Sequence, residues 1–565
     1  ALPEWSESTD YEEGRGYVAA VGGPAIDDQR TAALSRATCP TDEVNKTAFV
    51  SRGEVPRLPR HSRAGEKIVK TPRPGYDAPM SSENKEAVEG LRPPEVWRRF
   101  AELSEIPRCS KKEEGVREWI LSIAAEHGLE SEVDGTGNVL LRKAGKGGYA
   151  DRPPVALQAH MDMVCEKNAS TEHDFGKDPI PLVKDGQWIR SDRTTLGADN
   201  GIAVAMMLAL LTSEQEHPPL ECLFTVDEET GLTGALKLDE SLLSAKRLIN
   251  IDTEEEGHFC IGCAGGRNTY ASVPLRREKS SPGRNLRIFL SGLRGGHSGI
   301  NIGEGRGNSI ELGGRVLYDL MRKREDLRLL DLRGGDKHNA IPREFEAKVA
   351  ISGNPGELQS IIEEWKQTIL GELGDIEPGV DLSLEELTDE AGEPMDQETT
   401  FRVVRLLAAL PHGVLAMSRA VPGLVETSTN LAAVRIEKGE LEILTSQRSS
   451  RGSGVDDAVR LVRAPVELAG GTVKEAEGYP AWTPNPDSKL LARAVEVYRE
   501  VTGEEPVVEA VHAGLECGVI GDKYPGMEML SFGPDIEGAH TPEERVRISS
   551  VERSWNLLLK LLQEV

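Results

Sequence analysis

The sequence predicts an α/β fold in which a main domain, with a mainly parallel sheet flanked by helices, is interrupted by an inserted α+β domain. Three observations lead to this prediction. Between about residues 93 and 265, short apolar runs alternate with helix-like segments, which is typical of a parallel sheet covered by helices on both faces. After Gly266 the pattern changes to strand-like segments separated by helices. From about residue 478 the first pattern returns, so we expect the intervening segment to be an insertion.

Residues 1–88 are rich in Pro, Ser, Gly and charged residues and lack a sustained hydrophobic period. We interpret them as a disordered extension or a processed leader that carries no chemistry. The main domain is expected to begin near residue 89 and to run to residue 265. It starts with two amphipathic helices, in the segments PPEVWRRFAELSEI and VREWILSIAAEHGL.

The inserted domain is expected over residues 266–477. The segments NLRIFLSGL and FEAKVAIS predict strands, and SIELGGRVLYDLMRK and ELQSIIEEWKQTIL predict helices. The main domain then resumes over residues 478–565 with a helix in KLLARAVEVYREVTG and a loop in HAGLECG. Residues from both ends of the chain are therefore expected to share one domain.

Three predicted strands of the main domain end in acidic or imidazole side chains. They are the apolar runs at 155–157, 222–226 and 248–251. The side chains at or just past their ends are His160, Asp162, Asp227, Glu228, Glu229 and Asp252. In an open α/β sheet, ligands bind at such strand ends. Adjacent carboxylates repel one another unless a cation shares them, so this edge of the sheet is a candidate metal site.

Two further segments add candidates. In TTLGADNGIAVAMMLALL a loop leads into a buried helix, and Asp199 lies at the helix N-terminus, where a carboxylate is stabilised. In SFGPDIEGAHTPEERV a glycine-rich loop carries His540 ahead of a Thr-Pro-Glu-Glu sequence typical of a helix start. Five ligands suffice for two metal ions if one carboxylate bridges them. The candidates are His160, Asp199, Glu229, Asp252 and His540.

Zinc suits these ligands, although manganese and cobalt share such sites. Paired metals recur in aminopeptidases. The spacing of the residues does not decide whether Glu228 or Glu229 is the ligand and which of the two is free to act as a base. His512, in HAGLECG, competes with His540 as the last ligand.

From about Pro93 to the C-terminus the chain resembles a known family. The matching motifs are LQAHMDMVCEKN, TLGADNGIAVA, DEETGLTGA, NIDTEEEG, IGCAGG, GGHSG, NAIPRE, HAGLECG and GAHTPEE. In their order they resemble the dinuclear zinc peptidases that include carboxypeptidase G and the aminoacylases, and most of all the aminoacyl-histidine dipeptidases, or cytosol non-specific dipeptidases, of that family.

The resemblance implies a role for each candidate. Asp199 bridges two metal ions, His160 and Asp252 complete one site, and Glu229 and His540 complete the other. Glu228 falls where the family has its general base. Asp162 falls where a carboxylate orients the His160 imidazole. His512 and Glu516 are then left as pocket or core-loop groups.

The reaction implied is hydrolysis of dipeptides with a free N-terminus, of the Xaa-His type and with broad specificity, by a water that bridges two metal ions. One alternative is an amidohydrolase of the same fold that acts on N-acyl amino acids. A more distant alternative is a non-catalytic metal-binding scaffold. The inserted domain corresponds to the family's lid, or dimerisation, domain, which implies a homodimer.

Several residues outside the predicted metal shell are weaker candidates. His297, in RGGHSGINI, falls where related enzymes have a histidine that approaches the substrate carbonyl, often from the partner subunit; a loop histidine bonded to the backbone is the alternative. Asn339, Arg343 and Arg448 are candidates for binding a peptide's terminal carboxylate, although surface arginines are common. Cys260 and Cys263 form a CxxC motif that we interpret as structural thiols, with a redox or metal pair as the alternative.

Composition excludes some classes of function. A formal net charge of −27 over 565 residues makes nucleic acid an improbable partner, because phosphate contacts need a basic face. No apolar run is long enough for a membrane span. Seven scattered cysteines argue against a disulfide framework and for a reducing, cytoplasmic location.

Overall fold

The structure is a computed structural model that describes residues 80–279, 283–388 and 392–565. Most of the predicted extension at 1–88 lies outside these ranges. Its last part is helical, so the prediction of disorder is wrong for Ser82–Val88. The reason is local: the Ser81 side chain accepts the N–H of Asn84 at the helix start, and Asn84 is buried, where its side chain donates to Glu105 and to the carbonyl of Ile180.

Within the described ranges the helices are α1 (Ser82–Val88), α2 (Pro94–Ser104), α3 (Glu114–Glu126), α4 (Ala198–Thr212), α5 (Thr233–Leu236), α6 (Ser309–Lys323), α7 (Gly356–Leu373), α8 (Gln397–Ala409), α9 (Gly452–Leu468), α10 (Lys489–Thr502), α11 (Glu516–Lys523) and α12 (Ile548–Glu564). Two short 3-10 helices lie at Gly147–Tyr149 and Ile302–Glu304. The helices predicted from the sequence as α2, α3, α6, α7 and α10 are confirmed.

The strands of the same ranges are β1 (Glu130–Val133), β2 (Val139–Lys143), β3 (Val155–His160), β4 (Val183–Asp185), β5 (Trp188–Arg190), β6 (Leu220–Thr225), β7 (Arg247–Asn250), β8 (His258–Cys263), β9 (Gly265–Pro274), β10 (Arg284–Ser291), β11 (Gly296–His297), β12 (Arg328–Gly334), β13 (Ala340–Ile341), β14 (Phe345–Ile351), β15 (Asp381–Glu386), β16 (Gly413–Met417), β17 (Val425–Glu437), β18 (Glu440–Ser449), β19 (Thr472–Glu475), β20 (Val507–Val511), β21 (Glu528–Ser531), β22 (Ile536–Glu537) and β23 (Arg545–Arg547).

The main sheet has eight strands within the described residues, in the order β1-β2-β6-β3-β7-β21-β8-β20. The central pairings of β6 with β3, β3 with β7 and β7 with β21 are parallel, whereas β1 and β2 form an antiparallel edge. Every residue of β3 is buried, because both faces of the strand are covered: Leu157 packs in one apolar cluster and Ala156 in another. Such a sheet carries its functional groups at the strand ends.

A second sheet of nine strands runs β15-β10-β14-β12-β17-β18-β9-β19, with β16 added to β17. Its pairings are antiparallel, and it forms its own apolar core with helices α6, α7, α8 and α9. We call this unit, from β9 to β19, the lid domain. The α+β character predicted for the insertion is confirmed.

The segment after His540 departs from the prediction of a helix start. Residues 541–544 form a turn, β23 follows, and the helix α12 begins only at Ile548. The reason is that Glu544 is used elsewhere: its carboxylate accepts backbone N–H groups from the loop that carries Asp199. β23 pairs with β22 and β5, and this holds the His540 turn against the main domain.

Candidate metal centre and active site

Asp199 lies between two histidines. Its Oδ1 is 3.1 Å from Nε2 of His160, and its Oδ2 is 3.1 Å from Nε2 of His540. The two oxygens of one carboxylate thus face one imidazole each. This arrangement is suited to a carboxylate that bridges two cations.

Each histidine has a second acidic neighbour. The Nε2 of His160 is 3.4 Å from Oδ1 of Asp252, and the Nε2 of His540 is 2.9 Å from Oε2 of Glu229. His160 ends β3 and Asp252 follows β7, whereas Glu229 lies in the loop after β6 and His540 lies in the turn before β23. The topology therefore brings to one edge of the sheet the five residues that the sequence predicts as ligands.

These residues form two groups that could each hold a metal ion. The groups are His160 with Asp199 and Asp252, and Asp199 with Glu229 and His540, and within each the donor atoms lie within 4.8 Å of one another. Imidazole nitrogen and carboxylate oxygen are the donors that zinc prefers. In addition, Glu229 Oε1 is buried and has no hydrogen-bond partner among the described residues, which fits an atom that coordinates an ion.

The electrostatics also fit a cation. Burial would lower the pKa of His540, but hydrogen bonds with Asp199 and Glu229 raise it to about 12. Burial would raise the pKa of Asp199, yet the hydrogen bonds from both histidines hold it below its usual range. The carboxylates therefore draw positive charge to the two imidazoles, in the place that a metal ion would take.

Asp162 contacts the metal-binding residues without belonging to either group that shares Asp199. It is fully buried, and its Oδ1 lies 3.4 Å from Nδ1 of His160, whose ring also contacts the Asp162 carbonyl. The same carboxylate accepts the backbone N–H groups of Glu228 and Glu229 and the hydroxyl of Ser110. Asp162 thus holds both the His160 ring and the loop after β6.

Glu228 is half-buried beside this centre. Burial raises the pKa of its carboxyl well above the usual range; the charge of His160 opposes this shift and that of Glu229 adds to it. A carboxylate with a raised pKa is a stronger base than an exposed one. Unlike Glu229, Glu228 belongs to neither of the two groups that share Asp199, although its carboxylate also lies within 4.8 Å of donor atoms of His160 and Glu229.

Two buried charged residues beside the site carry no clear mark in the sequence. Arg108 donates to the carbonyls of Met161, Asp162 and Gly197, and Glu544 accepts N–H groups from the Asp199 loop. Both are about 2% exposed. No local pattern marks Arg108. For Glu544 the one available signal is its position four residues after His540 in the GAHTPEE motif.

His297 lies on the lid side, on the short strand β11. Its Nδ1 accepts the backbone N–H groups of Gly299 and Ile300, at 3.3 and 3.1 Å. The proton of the neutral ring must therefore reside on Nε2, which leaves a donor for a ligand. Burial, together with the charges of Arg448 and His338, lowers the pKa of His297 to about 4, so that the ring is neutral at pH 7.

Arg448 and His512 lie near His297. Arg448 is mostly buried, donates from Nη1 to the Tyr479 hydroxyl, and has an Nε without a hydrogen-bond partner in the described part of the chain. His512 Nε2 is 2.7 Å from the hydroxyl of Ser428 on β17, and burial and the charge of Arg448 lower its pKa to about 3. His512 belongs to neither metal group that contains Asp199.

The other predicted carboxylate binders are placed differently. Asn339 is half-buried just before β13, and its carbonyl accepts the N–H of Ser298 beside His297. Arg343 is exposed and packs against Gly295. Glu516, by contrast, lies beneath the metal groups, where it accepts from Gln158 and Thr225.

The cysteines are not all free. Cys109 and Cys165 form a disulfide with a Cα–Cα distance of 5.7 Å. This corrects the expectation drawn from scattered thiols, because the fold brings together two residues that are 56 apart in sequence. Cys260 and Cys263 are buried free thiols, as predicted, and burial raises their pKa values to about 12 and about 11. None of the helices in the described part of the chain combines the length and the apolar character that a membrane span requires.

Comparison with known proteins places the chain in a family. The profile of peptidase family M20/M25/M40 matches residues 156–564, and the chain belongs to that family. It is 41% identical over 479 residues to the cytosol non-specific dipeptidase of Escherichia coli K12, a match that covers 84% of this chain and 98% of that protein. It is 26% identical over 359 residues to the acetylornithine deacetylase of Myxococcus xanthus, with coverage of 59% and 84%.

Among solved structures, the aminoacylhistidine dipeptidase of Vibrio alginolyticus is 38% identical and superposes with a TM-score of 0.80 over 85% of this chain and 98% of that one. The likeness extends over the main domain and the lid domain together. The predicted α/β fold with an inserted α+β unit is confirmed.

Proposed function

We propose that this protein is a metal-dependent dipeptidase that cleaves short peptides with a free N-terminus. The observation that carries the proposal is the Asp199 carboxylate, whose two oxygens face His160 and His540 with Glu228 close by. The activity is that named for the Escherichia coli and Vibrio alginolyticus relatives, both similar over nearly their whole length.

Asp199 is proposed as the shared ligand of two metal ions, with His160 and Asp252 at one and Glu229 and His540 at the other. Zinc is the proposed metal, because the donor set is imidazole and carboxylate. When bound, a pair of such ions would activate a water molecule and polarise the peptide carbonyl.

Glu228 is the proposed general base. It would take a proton from the attacking water and deliver it to the amine nitrogen that leaves when the peptide bond breaks. A raised pKa favours the first half of this transfer, in which the carboxylate takes the proton from water. Asp162 would keep Glu228 in place through its backbone N–H.

His297 is proposed to stabilise the oxygen of the reacting carbonyl. The ring is fixed by two backbone N–H groups at Nδ1, so its Nε2–H points away from the loop as a neutral donor. A preorganised donor of this kind stabilises charge that develops in the transition state without reorganising.

The substrate carboxylate is proposed to bind at Arg448, beside the side chains of His512 and Tyr479. Arg448 has an unpartnered Nε in a mostly buried setting, where a charge-assisted hydrogen bond is strong. Asn339, next to His297, is a second candidate for a polar contact. The exposed position of Arg343 makes it the weakest of the three predicted contacts.

A homodimer is part of the proposal. The edge strand β16 exposes Val414, Leu415 and Met417, and Ile300 in the His297 loop is 63% exposed. Apolar side chains of this kind are suited to contact with a second copy. Light scattering coupled to size-exclusion chromatography would measure the mass.

A cytoplasmic location is also proposed, on the name of the Escherichia coli relative.

The alternative is an amidohydrolase of the same fold that acts on N-acyl amino acids, and the similarity to acetylornithine deacetylase favours considering it. The test compares unblocked dipeptides, including β-alanyl-histidine, with their N-acetyl forms, before and after chelation and after zinc is added back. Chelator-sensitive cleavage of the free dipeptides alone supports the dipeptidase. Cleavage of the acetylated forms alone assigns the protein to the amidohydrolases.

A further inference from the structure

Glu544 is a buried carboxylate. Its only contact with a proposed ligand is a hydrogen bond from the backbone N–H of Asp199, among the described residues. Its Oε2 accepts the N–H groups of Leu196 and Gly197, at 2.7 and 2.9 Å. Its Oε1 accepts those of Ala198 and Asp199, at 2.7 and 3.3 Å. Four consecutive backbone N–H groups therefore donate to one side chain, which lies nearly 350 residues later in the sequence.

The loop that donates these hydrogen bonds cannot satisfy its N–H groups by itself. Residues 196–199 are buried, and the backbone at Asp199 and Asn200 is not helical, so the regular part of α4 begins only beyond them. Buried N–H groups without acceptors are costly. A single carboxylate with two oxygens, each accepting two N–H groups, supplies all four acceptors.

Arg108 holds the same loop from its other side. The guanidinium donates to the Gly197 carbonyl and to the carbonyls of Met161 and Asp162, so it also contacts the strand end that carries His160. Glu544 therefore accepts hydrogen bonds from the N–H groups of the Asp199 loop, whereas Arg108 donates one to the Gly197 carbonyl of the same loop. Neither group is a proposed ligand or base.

The position of Glu544 in the chain links two of the proposed ligands. Its backbone N–H closes a turn onto the Thr541 carbonyl, 3.1 Å away, immediately after His540. The short segment 540–544 thus carries one proposed ligand, His540, and holds the loop of another, Asp199. The distance between these two ligands is set within one hydrogen-bonded unit.

We infer that Glu544 is a positioning residue of the metal centre: it holds the Asp199 loop so that the two carboxylate oxygens face His160 and His540. The inference rests on the proposed metal centre, and it assigns Glu544 no contact with substrate. Partners that orient metal ligands commonly contribute roughly 10–100-fold to metal affinity. The same size of effect is expected here.

The test is Glu544→Gln in the full chain, with Glu543→Gln as the matched control. Both variants replace a carboxyl group by an amide of the same shape, but Glu543 is exposed and Glu544 is buried. In Glu544→Gln the side chain keeps one carbonyl oxygen and turns an amide NH₂ toward two backbone donors. Zinc affinity is measured by competition with a chromophoric chelator, and kcat and KM are measured for a dipeptide.

We expect Glu544→Gln to weaken zinc binding by about 10–100-fold and to lower kcat more than KM changes. Raising the free zinc concentration should recover part of the lost kcat. Glu543→Gln should match the wild type in both measurements. The far-ultraviolet circular dichroism of all three proteins should be the same.

A different pattern would overturn the inference. If Glu544→Gln lowers the melting temperature of chelated and zinc-loaded protein equally, with wild-type zinc affinity and kcat, Glu544 only stabilises the fold. If Glu544→Gln does not fold, Glu544→Asp decides, since it keeps the charge but shortens the reach: wild-type zinc affinity in that variant contradicts the inference, and weakened affinity supports it. Zinc affinity is measured without substrate, so a wild type that binds zinc but does not cleave dipeptides would reject the proposed function alone.

Discussion

The histidine of the metal groups in the main domain and the histidine of the lid domain lie in opposite electrostatic surroundings. On the main domain, carboxylates raise the pKa of His540 to about 12, whereas on the lid side burial and neighbouring positive charge lower the pKa of His297 to about 4. The group around Asp199 and His540, which we call the acidic side, therefore attracts cations. The group around His297 and Arg448, which we call the basic side or lid side, keeps the His297 imidazole neutral. This difference supports the proposal that the acidic group binds metal ions and that Arg448 binds the carboxylate of the substrate.

The largest effect is expected from removing the proposed base on the acidic side. Glu228→Gln should lower kcat by about 10²–10⁴-fold and leave the bound metal in place, because Glu228 is not a proposed ligand. Asp199→Ala should lose metal and activity together. Metal content by elemental analysis, measured beside kcat, separates the two. A Glu228→Gln variant with most of its activity would assign the base to another residue.

The next largest effect on activity is expected from removing His297, the neutral histidine of the lid side. His297→Ala should lower kcat by about 10²-fold, the scale for loss of one donor to a developing oxyanion. Because the pKa of His297 is held near 4, the ring is mostly neutral from pH 5 upward, and no large change in activity between pH 5 and 8 should depend on it. Comparing the pH profiles of wild type and His297→Ala checks this. A limb above pH 5 that disappears in the variant would contradict the neutral-donor role.

Arg448 tests the basic side directly. Arg448→Ala should reduce kcat/KM for a free dipeptide by about 10–100-fold, since a charged hydrogen bond contributes roughly 1.5–3 kcal/mol. The same variant should change little for the C-terminal amide of that dipeptide, which has no carboxylate to bind. Equal losses on both substrates would mean that Arg448 shapes the site without contacting the carboxylate. Arg322→Ala, at an exposed arginine of α6 that is no candidate for substrate binding, is the matched control.

The disulfide between Cys109 and Cys165 lies on the acidic side, and its expected effect is on the free energy of unfolding. Cys109 is flanked by Arg108 and Ser110, which contact the carbonyl and the carboxylate of Asp162. Closing a loop between residues 56 apart stabilises a fold by up to about 4 kcal/mol in the chain-entropy account. Reduction of the wild type should therefore lower the free energy of unfolding, and the double variant Cys109→Ser with Cys165→Ser should no longer respond to reductant. An unchanged wild type under reduction would show that the bridge contributes nothing in solution.

The smallest effect is expected from His412 in the lid domain. Its Nδ1 accepts the side-chain amide of Asn308, and burial lowers its pKa to about 4. A folded-state pKa below the ordinary 6.5 means that stability is present above pH 6.5 and is lost as the pH falls toward 4. Urea unfolding at pH 7 and pH 5 should show a loss of roughly 1–2 kcal/mol in the wild type that is absent in His412→Gln. An equal pH dependence in both proteins would remove His412 as its source.

The acidic side could be predicted from the sequence because its ligands follow strands that are readable as apolar runs. His160 and Asp252 come at strand ends, and the order of the motifs resembles a known family. The resemblance, not the spacing, separated Glu228 from Glu229.

The supporting residues could not be predicted in the same way. Arg108 lies in a short loop without a pattern, and its partners are backbone carbonyls that only the fold brings near it. Glu544 lies in a sequence that favours a helix start. The hydrogen bonds that its carboxylate accepts from the Asp199 loop override that local preference. The Cys109–Cys165 bridge likewise depends on a contact made by the folded chain.

The most direct test of the metal-centre account is a titration of chelated protein with zinc, in which dipeptide hydrolysis and bound zinc are measured together. If Asp199 is shared by two ions, activity approaches its maximum as bound zinc approaches two equivalents, and Asp199→Ala fails to bind either ion tightly. Full activity at one equivalent, or unchanged activity in the fully chelated protein, would contradict a shared Asp199 between two ions.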